Sequence, residues 1–258
     1  MIGVYDSGLG GLGVLAAIRA LSPTADIVGL ADQANAPYGD RDTADVRRFA
    51  EQAVDHLIGH GCDTIVVACN TASTAALDHL RAIRPSVRFV GMEPAVKPAV
   101  AHTTSGVIAV LGTTATIEGR LLAKMIDQHA GDTTVVGIPL PGLVELVEDG
   151  LATSPATEAF LERRLQPARE AGADTYVLAC THYGFAREPI ERLAPGATVI
   201  DPAEAVARQA LRVSAGHGSG SGSTTLLTTG DAVRMRRQVS LILGWDLPVG
   251  VVASAPAR

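Results

Sequence analysis

The feature that most restricts what this chain can fold into is a duplication. Residues 61–69 read GCDTIVVAC and residues 172–180 read GADTYVLAC, identical at six of nine positions, and each copy is a short apolar run ending in a cysteine. Such a run, entered through Gly-x-Asp and left through polar residues, is the pattern of a strand buried on both faces in a parallel sheet. A fainter echo pairs IGVYDSG at 2–8 with IAVLGTT at 108–114. Two βα modules related by approximate symmetry would bring Cys69 and Cys180 to strand tips facing one another across a cleft. Ligands of open α/β sheets bind at such C-terminal strand ends.

Further apolar runs at 26–31, 87–91, 134–138 and 197–200 alternate with helical patterns near 12–21, 43–60, 72–83, 114–129, 155–171 and 202–214. The expected fold class is α/β: two pseudo-symmetric three-layer α/β domains with mostly parallel sheets and the active site in the interdomain cleft. GHGSGSGS at 216–223, which contains His217, reads as a flexible connector. Beyond it, TTLLTTGD and AVRMRRQVSLILG, with Gly244 as a helix cap, are too short to fold alone and are expected to pack back on the first half. The expected domains are therefore 1–94 with 208–258, and 95–207.

Composition narrows the function. With 47% hydrophobic but only 3% aromatic residues, the core must be built from Ala, Val, Leu and Ile. The 27 acidic and 21 basic side chains give a net charge of -6, and the basic ones are scattered, so no nucleic-acid partner is expected. Three cysteines make no disulfide framework, MIGVYDSG is no signal peptide, and apolar stretches of 5 to 10 residues are too short to span a membrane. The expected location is cytoplasmic, without a membrane partner.

Gly8, Gly10 and Gly13 match GxGxxG after a strand, with Asp32 near the end of the next one. Three readings stay open: a dinucleotide site, a tight turn with close helix packing, or the wall of a small acid's pocket. Asp6 and Ser7 at the strand tip count against the first, because a carboxylate opposes a pyrophosphate.

A buried strand-end cysteine is ordinarily a small hydrophobe. Cys69, however, opens CNTAST, where Asn70, Thr71 and Ser73 can cap a helix and present donors, and a helix N-terminus favours the thiolate. Cys180 opens CTHYG, with Thr181, His182 and Tyr183 behind it, and His182 could hold or exchange the thiol's proton. Two matched thiols without CxxC are no redox pair, a protease-like Cys-His pair leaves the repeat unexplained, and the ligand spacing for zinc is thin. An acid and a base on opposite faces of one carbon suit racemisation or epimerisation, with no metal or cofactor demanded. Asp6 could orient or accept the proton of Cys69. In NAPYGD, Pro37, Tyr38 and Gly39 could offer backbone groups and a phenol to a carboxylate, and Thr113, Thr114 and Thr116 are hydroxyl donors at a helix start. Glu148 and Asp149 close a short helix and alone would read as a solvated end. Cys62, seven residues before Cys69, is expected to be structural.

Taken in order, DSGLGGL at 6–12, PYGD at 37–40, ACNTAS at 68–73, LGTTAT at 111–116, LVEDG at 146–150, ACTHY at 179–183 and TTGD at 228–231 resemble the glutamate racemases of the aspartate/glutamate racemase superfamily over essentially the whole chain. The resemblance implies cofactor-independent interconversion of L- and D-glutamate, supplying D-glutamate for peptidoglycan. It implies that Cys69 removes the Cα proton from D-glutamate and Cys180 from L-glutamate, with Asp6 assisting the first and Glu148 and His182 the second. Ser7, Pro37, Tyr38, Gly39, Asn70, Thr71, Thr113, Thr116 and Thr181 match substrate-binding positions. Family members are often homodimers. The chain departs from the family at Gly184, where proline is more common, and at Ile138, where cysteine is. An aspartate racemase, a nicotinamide-dependent oxidoreductase and a non-catalytic small-acid binding protein are the competing readings.

Overall fold

The computed structural model describes residues 1–39, 41–214 and 220–254, so half of the expected connector, with His217, lies outside the described residues. The strands are β1 (Ile2–Asp6), β2 (Ile27–Ala31), β3 (Thr64–Val67), β4 (Arg88–Gly91), β5 (Val107–Gly112), β6 (Thr134–Pro139), β7 (Thr175–Leu178), β8 (Thr198–Ile200), β9 (Thr224–Thr228) and β10 (Val249–Val251). The helices are α1 (Gly11–Leu21), α2 (Thr43–Gly59), α3 (Asn70–Ile83), α4 (Val96–His102), α5 (Thr114–Ile117), α6 (Arg120–His129), α7 (Leu143–Glu148), α8 (Pro155–Arg164), α9 (Gln166–Glu170), α10 (Arg187–Leu193), α11 (Ala203–Val213) and α12 (Ala232–Leu243), with a 3₁₀ turn at Thr181–Ala186. Among the described residues no helix is long and apolar enough to cross a membrane.

The chain divides into two compact units, Met1–Met92 with Ala203–Arg258, and Glu93–Pro202. These divisions fall a few residues from those read in the sequence. α11 lies wholly in the first unit, because Val206, Ala207 and Ala210 are buried on the helix that packs against α1.

Each unit is an α/β layer structure around a sheet whose pairings are all parallel. The strand order is β10-β9-β2-β1-β3-β4 in the first and β6-β5-β7-β8 in the second. The four strands β2-β1-β3-β4 thus repeat as β6-β5-β7-β8, and the hydrogen bonds repeat with them. Ala68 N–H donates to Tyr5 O and Ala179 N–H to Leu111 O, both at 2.7 Å, while Asp63 N–H to Met1 O and Asp174 N–H to Val107 O are both 3.3 Å. The strong duplication and the faint echo therefore belong to one frame. Gly61 (φ 84°) and Gly172 (φ 78°) make the same left-handed turn into β3 and β7, a conformation that a Cβ penalises.

Alternation along the strands sorts the cores. In the second unit Ile108, Val110, Val177 and Ala179 face α4 and α6, whereas Ala109, Leu111, Tyr176, Leu178 and Cys180 face the side covered by α7, α8, α9 and α10. In the first, Ile65, Val67 and Cys69 lie with Tyr5, Tyr38 and Phe49 beneath α2 and α3. The two catalytic candidates thus occupy equivalent faces of their own sheets.

The tail returns as expected. β9 pairs with β2 from Ile27↔Thr224 to Ala31↔Thr228, and α12 starts at Asp231, which accepts from Val233 N–H (2.8 Å) and Arg234 N–H (3.0 Å), and stops at left-handed Gly244 (φ 67°). Two expected helices are each divided. The 114–129 pattern breaks at Gly119, where a Cβ would stand 2.6 Å from Ala115 O. The 155–171 pattern breaks at Leu165, ahead of Pro167, which has no N–H to extend the helix. The seven-residue helices α4 and α10 carry Pro98 and Pro189 in their first turns, which disguises them in the sequence but is harmless where N–H groups lack helical partners.

Candidate active site

β2, β1 and β3 lie side by side, so Asp32, Asp6 and Cys69 follow one another along the C-terminal edge of the first sheet. Asp32 N–H donates to Asp6 O at 2.9 Å, which ties the tips of β2 and β1 together. Asp6 is buried, and its Oδ1 accepts from Ser7 Oγ–H (3.2 Å) and Gly8 N–H (3.4 Å). Ser7 Oγ in turn stands 3.5 Å from Cys69 Sγ. Acid, hydroxyl and thiol therefore form a continuous polar contact at the strand tips.

The helix cap after β3 is not a polar side chain, as the sequence suggested, but the thiol itself. Cys69 is the N-cap of α3, its Sγ accepting from Ala72 N–H at 3.5 Å, so the amides of the first turn are the partners an anionic sulfur would take. Ser73 instead ties β3 to the segment after β4, donating to Val67 O (2.8 Å) and accepting from Met92 N–H (2.9 Å). Asn70 is 5% exposed, and both its Oδ1 and Nδ2 are buried without a hydrogen-bond partner. An amide so placed is a donor and an acceptor held ready for a ligand. Thr71, beside it, is half-buried.

Pro37 is exposed and Gly39 half-buried, but the Tyr38 phenol is turned inward. It donates to Asp32 Oδ2 and accepts from Tyr5 O–H (2.7 Å), and burial pushes both phenols well above their ordinary pKa. Where the sequence expected a phenol free to meet a ligand carboxylate, the Tyr38 hydroxyl proton is directed to Asp32. Asp32 is 2% exposed and also accepts from Thr229 Oγ–H (2.6 Å) and Asn35 Nδ2–H (3.1 and 3.0 Å). This is the carboxylate a dinucleotide's ribose would require, and the fold itself has taken it. Within the glycine run, Gly11 is tied to close packing, since a Cβ there would lie 2.9 Å from Asp6 Cβ, closer than real contacts allow.

In the second unit Cys180 follows β7 and lies at the start of the 3₁₀ turn, with Sγ 4.0 Å from His182 Nδ1. His182 is buried, and its Nε2 meets Glu148 Oε1 at 2.8 Å. α7 carries Glu148 on its last turn to this point, while Asp149 caps the helix and is exposed. Glu148 is therefore separated from an ordinary solvated helix end by its histidine partner. Tyr183 packs behind, its phenol donating to Leu140 O at 3.2 Å, with a pKa held high by burial and then by Cys180.

Thr113 stands where Ser7 does in the repeated frame. It caps α5, accepting from Thr116 N–H at 3.2 Å with the two hydroxyls 3.0 Å apart, and Thr114 is exposed. Thr181 is half-buried beside Cys180. A Cβ at Gly184 would meet Asp201 Oδ2 at 2.6 Å, so a larger residue there would displace that carboxylate. Cys62 sits at the far end of β3 against Gly3, and burial pushes its thiol up to about 12. A thiol so placed is packing. Asn35 and Thr229, which hold Asp32 directly, and Tyr5, which does so through Tyr38, lie in the segments NAPYGD, TTGD and IGVYDSG but were assigned no role from the sequence, and Asp32 was visible only as part of a nucleotide pattern.

Residues 13–210 match the Asp/Glu/Hydantoin racemase family. The chain is 40% identical over 255 residues to the glutamate racemase of Ectopseudomonas mendocina, covering 97% of each. Among solved structures, Escherichia coli glutamate racemase in complex with L-glutamate and the activator UDP-MurNAc-Ala superposes with a TM-score of 0.86 at 28% identity, covering 99% of this chain and 98% of that one. The Thermus thermophilus glutamate racemase gives a TM-score of 0.82 at 35% identity, covering 98% and 96%. The chain belongs to the Asp/Glu/Hydantoin racemase family, among its glutamate racemases, and is an isomerase.

Proposed function

We propose that this enzyme interconverts L- and D-glutamate by two proton transfers at Cα, with Cys69 and Cys180 as the two bases and no cofactor. The observation that carries the reading is that each strand-tip thiol has its own proton-handling side chains: Ser7 and Asp6 beside Cys69, His182 and Glu148 beside Cys180. In the D-to-L direction the Cys69 thiolate takes the Cα proton and becomes a thiol. The electron pair left on carbon is delocalised into the substrate carboxylate, and the Cys180 thiol returns a proton to the opposite face and is left as thiolate. The L-to-D direction runs the same steps in reverse. Asp6 through Ser7, and Glu148 through His182, reset the protonation of the thiols between turnovers.

The substrate's charged groups are assigned to Ser7, Asn70, Thr71 and the Pro37–Tyr38–Gly39 backbone, and to Thr113, Thr116 and Thr181. The unpartnered amide of Asn70 supports the first group. Glutamate is favoured over aspartate by the 40% identical relative and by the L-glutamate held in the E. coli structure. We assign the product, D-glutamate, to peptidoglycan synthesis.

The test is incubation with each enantiomer of glutamate and of aspartate in D₂O, without added cofactor and with a chelator present. Deuterium should enter Cα of glutamate while its optical activity decays to zero, since enantiomers are equal in energy. Exchange that requires added pyridoxal phosphate or a metal, or that occurs with aspartate and not glutamate, would overturn the reading.

A further inference from the structure

We propose that Asp32 is a positioning residue, holding the Tyr38–Gly39 backbone at the tips of β1 and β2 so that it can receive a substrate carboxylate. The proposal rests on the assignment of that loop to substrate binding made above. Residues 32–39 join β2 to the approach of α2 without regular secondary structure, and among the described residues their backbone bonds are few: Asp32 N–H to Asp6 O (2.9 Å), Asn35 N–H to Asp32 O (3.1 Å) and Arg41 N–H to Tyr38 O (3.1 Å). Asp32 is the centre of that arrangement. Its own amide is fixed to Asp6, one oxygen takes the Tyr38 phenol, and the other takes Thr229, with Asn35 reaching both. The Tyr38 ring is held between Tyr5 and Phe49, at centroid distances of 6.4 and 5.6 Å, so the phenol cannot swing away without opening the core.

The chemistry of the site explains why it needs a carboxylate. All three partners of Asp32 are donors, so an asparagine would turn its NH₂ toward a hydroxyl or amide that needs an acceptor. None of the three is a cation, and burial makes the ionised form costly, raising its pKa against the hydrogen bonds that oppose this. His56 acts on it only from a distance, so a buried carboxylate with no directly bonded cation marks a position kept for what it holds in place. The anchor also recruits the returning tail, since Thr229 follows β9 and Asn35 Nδ2 donates to Ser254 Oγ at 2.8 Å. The C-terminal segment thereby completes the Cys69 side of the chemistry as well as its sheet.

The test compares Asp32→Asn and Tyr38→Phe with Thr229→Val, which removes a different donor to the same carboxylate and leaves the phenol bond intact. Steady-state kinetics with both enantiomers are paired with hydrogen–deuterium exchange over residues 33–39. The expected result is a KM raised about tenfold for both enantiomers in the first two variants, with kcat changed by less than about threefold and loop protection lost. Thr229→Val should lower Tm yet keep KM and loop protection. An active wild type with KM unchanged in Asp32→Asn and Tyr38→Phe overturns the assignment, as does an equal rise in Thr229→Val, which would make the cluster structural. A wild type inactive on glutamate overturns the underlying reading instead, and the exchange data then decide by themselves whether Asp32 holds the loop.

Discussion

His182 Nε2 stands 2.8 Å from Glu148 Oε1, while the other ring nitrogen of His182 lies 4.0 Å from Cys180 Sγ. The carboxylate fixes the ring's orientation, and the proposed mechanism makes the ring the group that exchanges the thiol's proton. Glu148→Gln retains the hydrogen bond and removes the charge. It should lower kcat from L-glutamate by about 10²-fold while leaving far-UV circular dichroism unchanged. Wild-type turnover from both enantiomers would assign the pair to structure.

On the other thiol the proposed route from the acid runs through Ser7, which lies 3.2 Å from Asp6 Oδ1 and 3.5 Å from Cys69 Sγ. Asp6→Asn should slow turnover from D-glutamate more than from L-glutamate, by about 10²-fold, and Ser7→Ala should reproduce part of that loss. Rates at saturating substrate, taken separately from each enantiomer, check this, because kcat can differ between directions whereas kcat/KM must fall equally for enantiomers of equal energy. An equal loss in both directions would place Asp6 outside the proton path of Cys69.

If each thiol serves one face of Cα, Cys69→Ser and Cys180→Ser should each abolish net racemisation, since a hydroxyl gives up its proton far less readily than a thiol with a pKa near about 8.5. A β-chloro analogue of glutamate separates the two, because elimination needs only the abstracting base. Cys69→Ser should retain elimination from the L configuration and lose it from the D, and Cys180→Ser the reverse. Loss from both configurations in both variants would mean the thiols work as one unit.

Cys62 is the internal control. Its thiol is pushed up to about 12 by burial, it packs on Gly3, and it belongs to neither cluster. Cys62→Ala should cost about 1 kcal/mol in stability and leave kcat and KM within about twofold of wild type. Loss of activity at unchanged stability would show that a third thiol takes part.

Asp26 provides a pH signature for the returning tail. Its Oδ1 accepts from Ser223 Oγ–H (2.7 Å) and N–H (2.9 Å) and from Ser221 Oγ–H (2.9 Å) and N–H (3.1 Å), and these bonds, those of Ser223 first, hold its pKa far below the ordinary carboxylate value. A carboxylate depressed by folding stabilises the native state fully above its unfolded pKa, about 3.9, and the gain fades as pH falls toward the folded value. Asp26→Asn should therefore have a lower Tm than wild type at pH 7, with the gap closing below about pH 4. A gap constant down to pH 2 would contradict the linkage.

The sequence by itself determined the strands β1 to β8, the two cysteines at equivalent strand tips and the return of the tail, while β9 and β10 were not among the runs read as strands. Each of the three is encoded locally: by apolar runs of strand length, by a nine-residue duplication, and by a Gly/Ser segment followed by a short unit with a capped helix. Short helices with a proline in the first turn escaped it, because the residue that interrupts a helix's interior is tolerated at its start. Only the tertiary structure decided which polar side chains meet at the strand tips. The partners of Asp32 come from positions 5, 35, 38 and 229 directly or through Tyr38, and Glu148 reaches His182 across 34 residues. No periodicity relates such positions. They meet because parallel strands place their C-terminal tips on one edge, and because burial there leaves each polar group to find its partner from whatever the neighbouring strands and loops deliver.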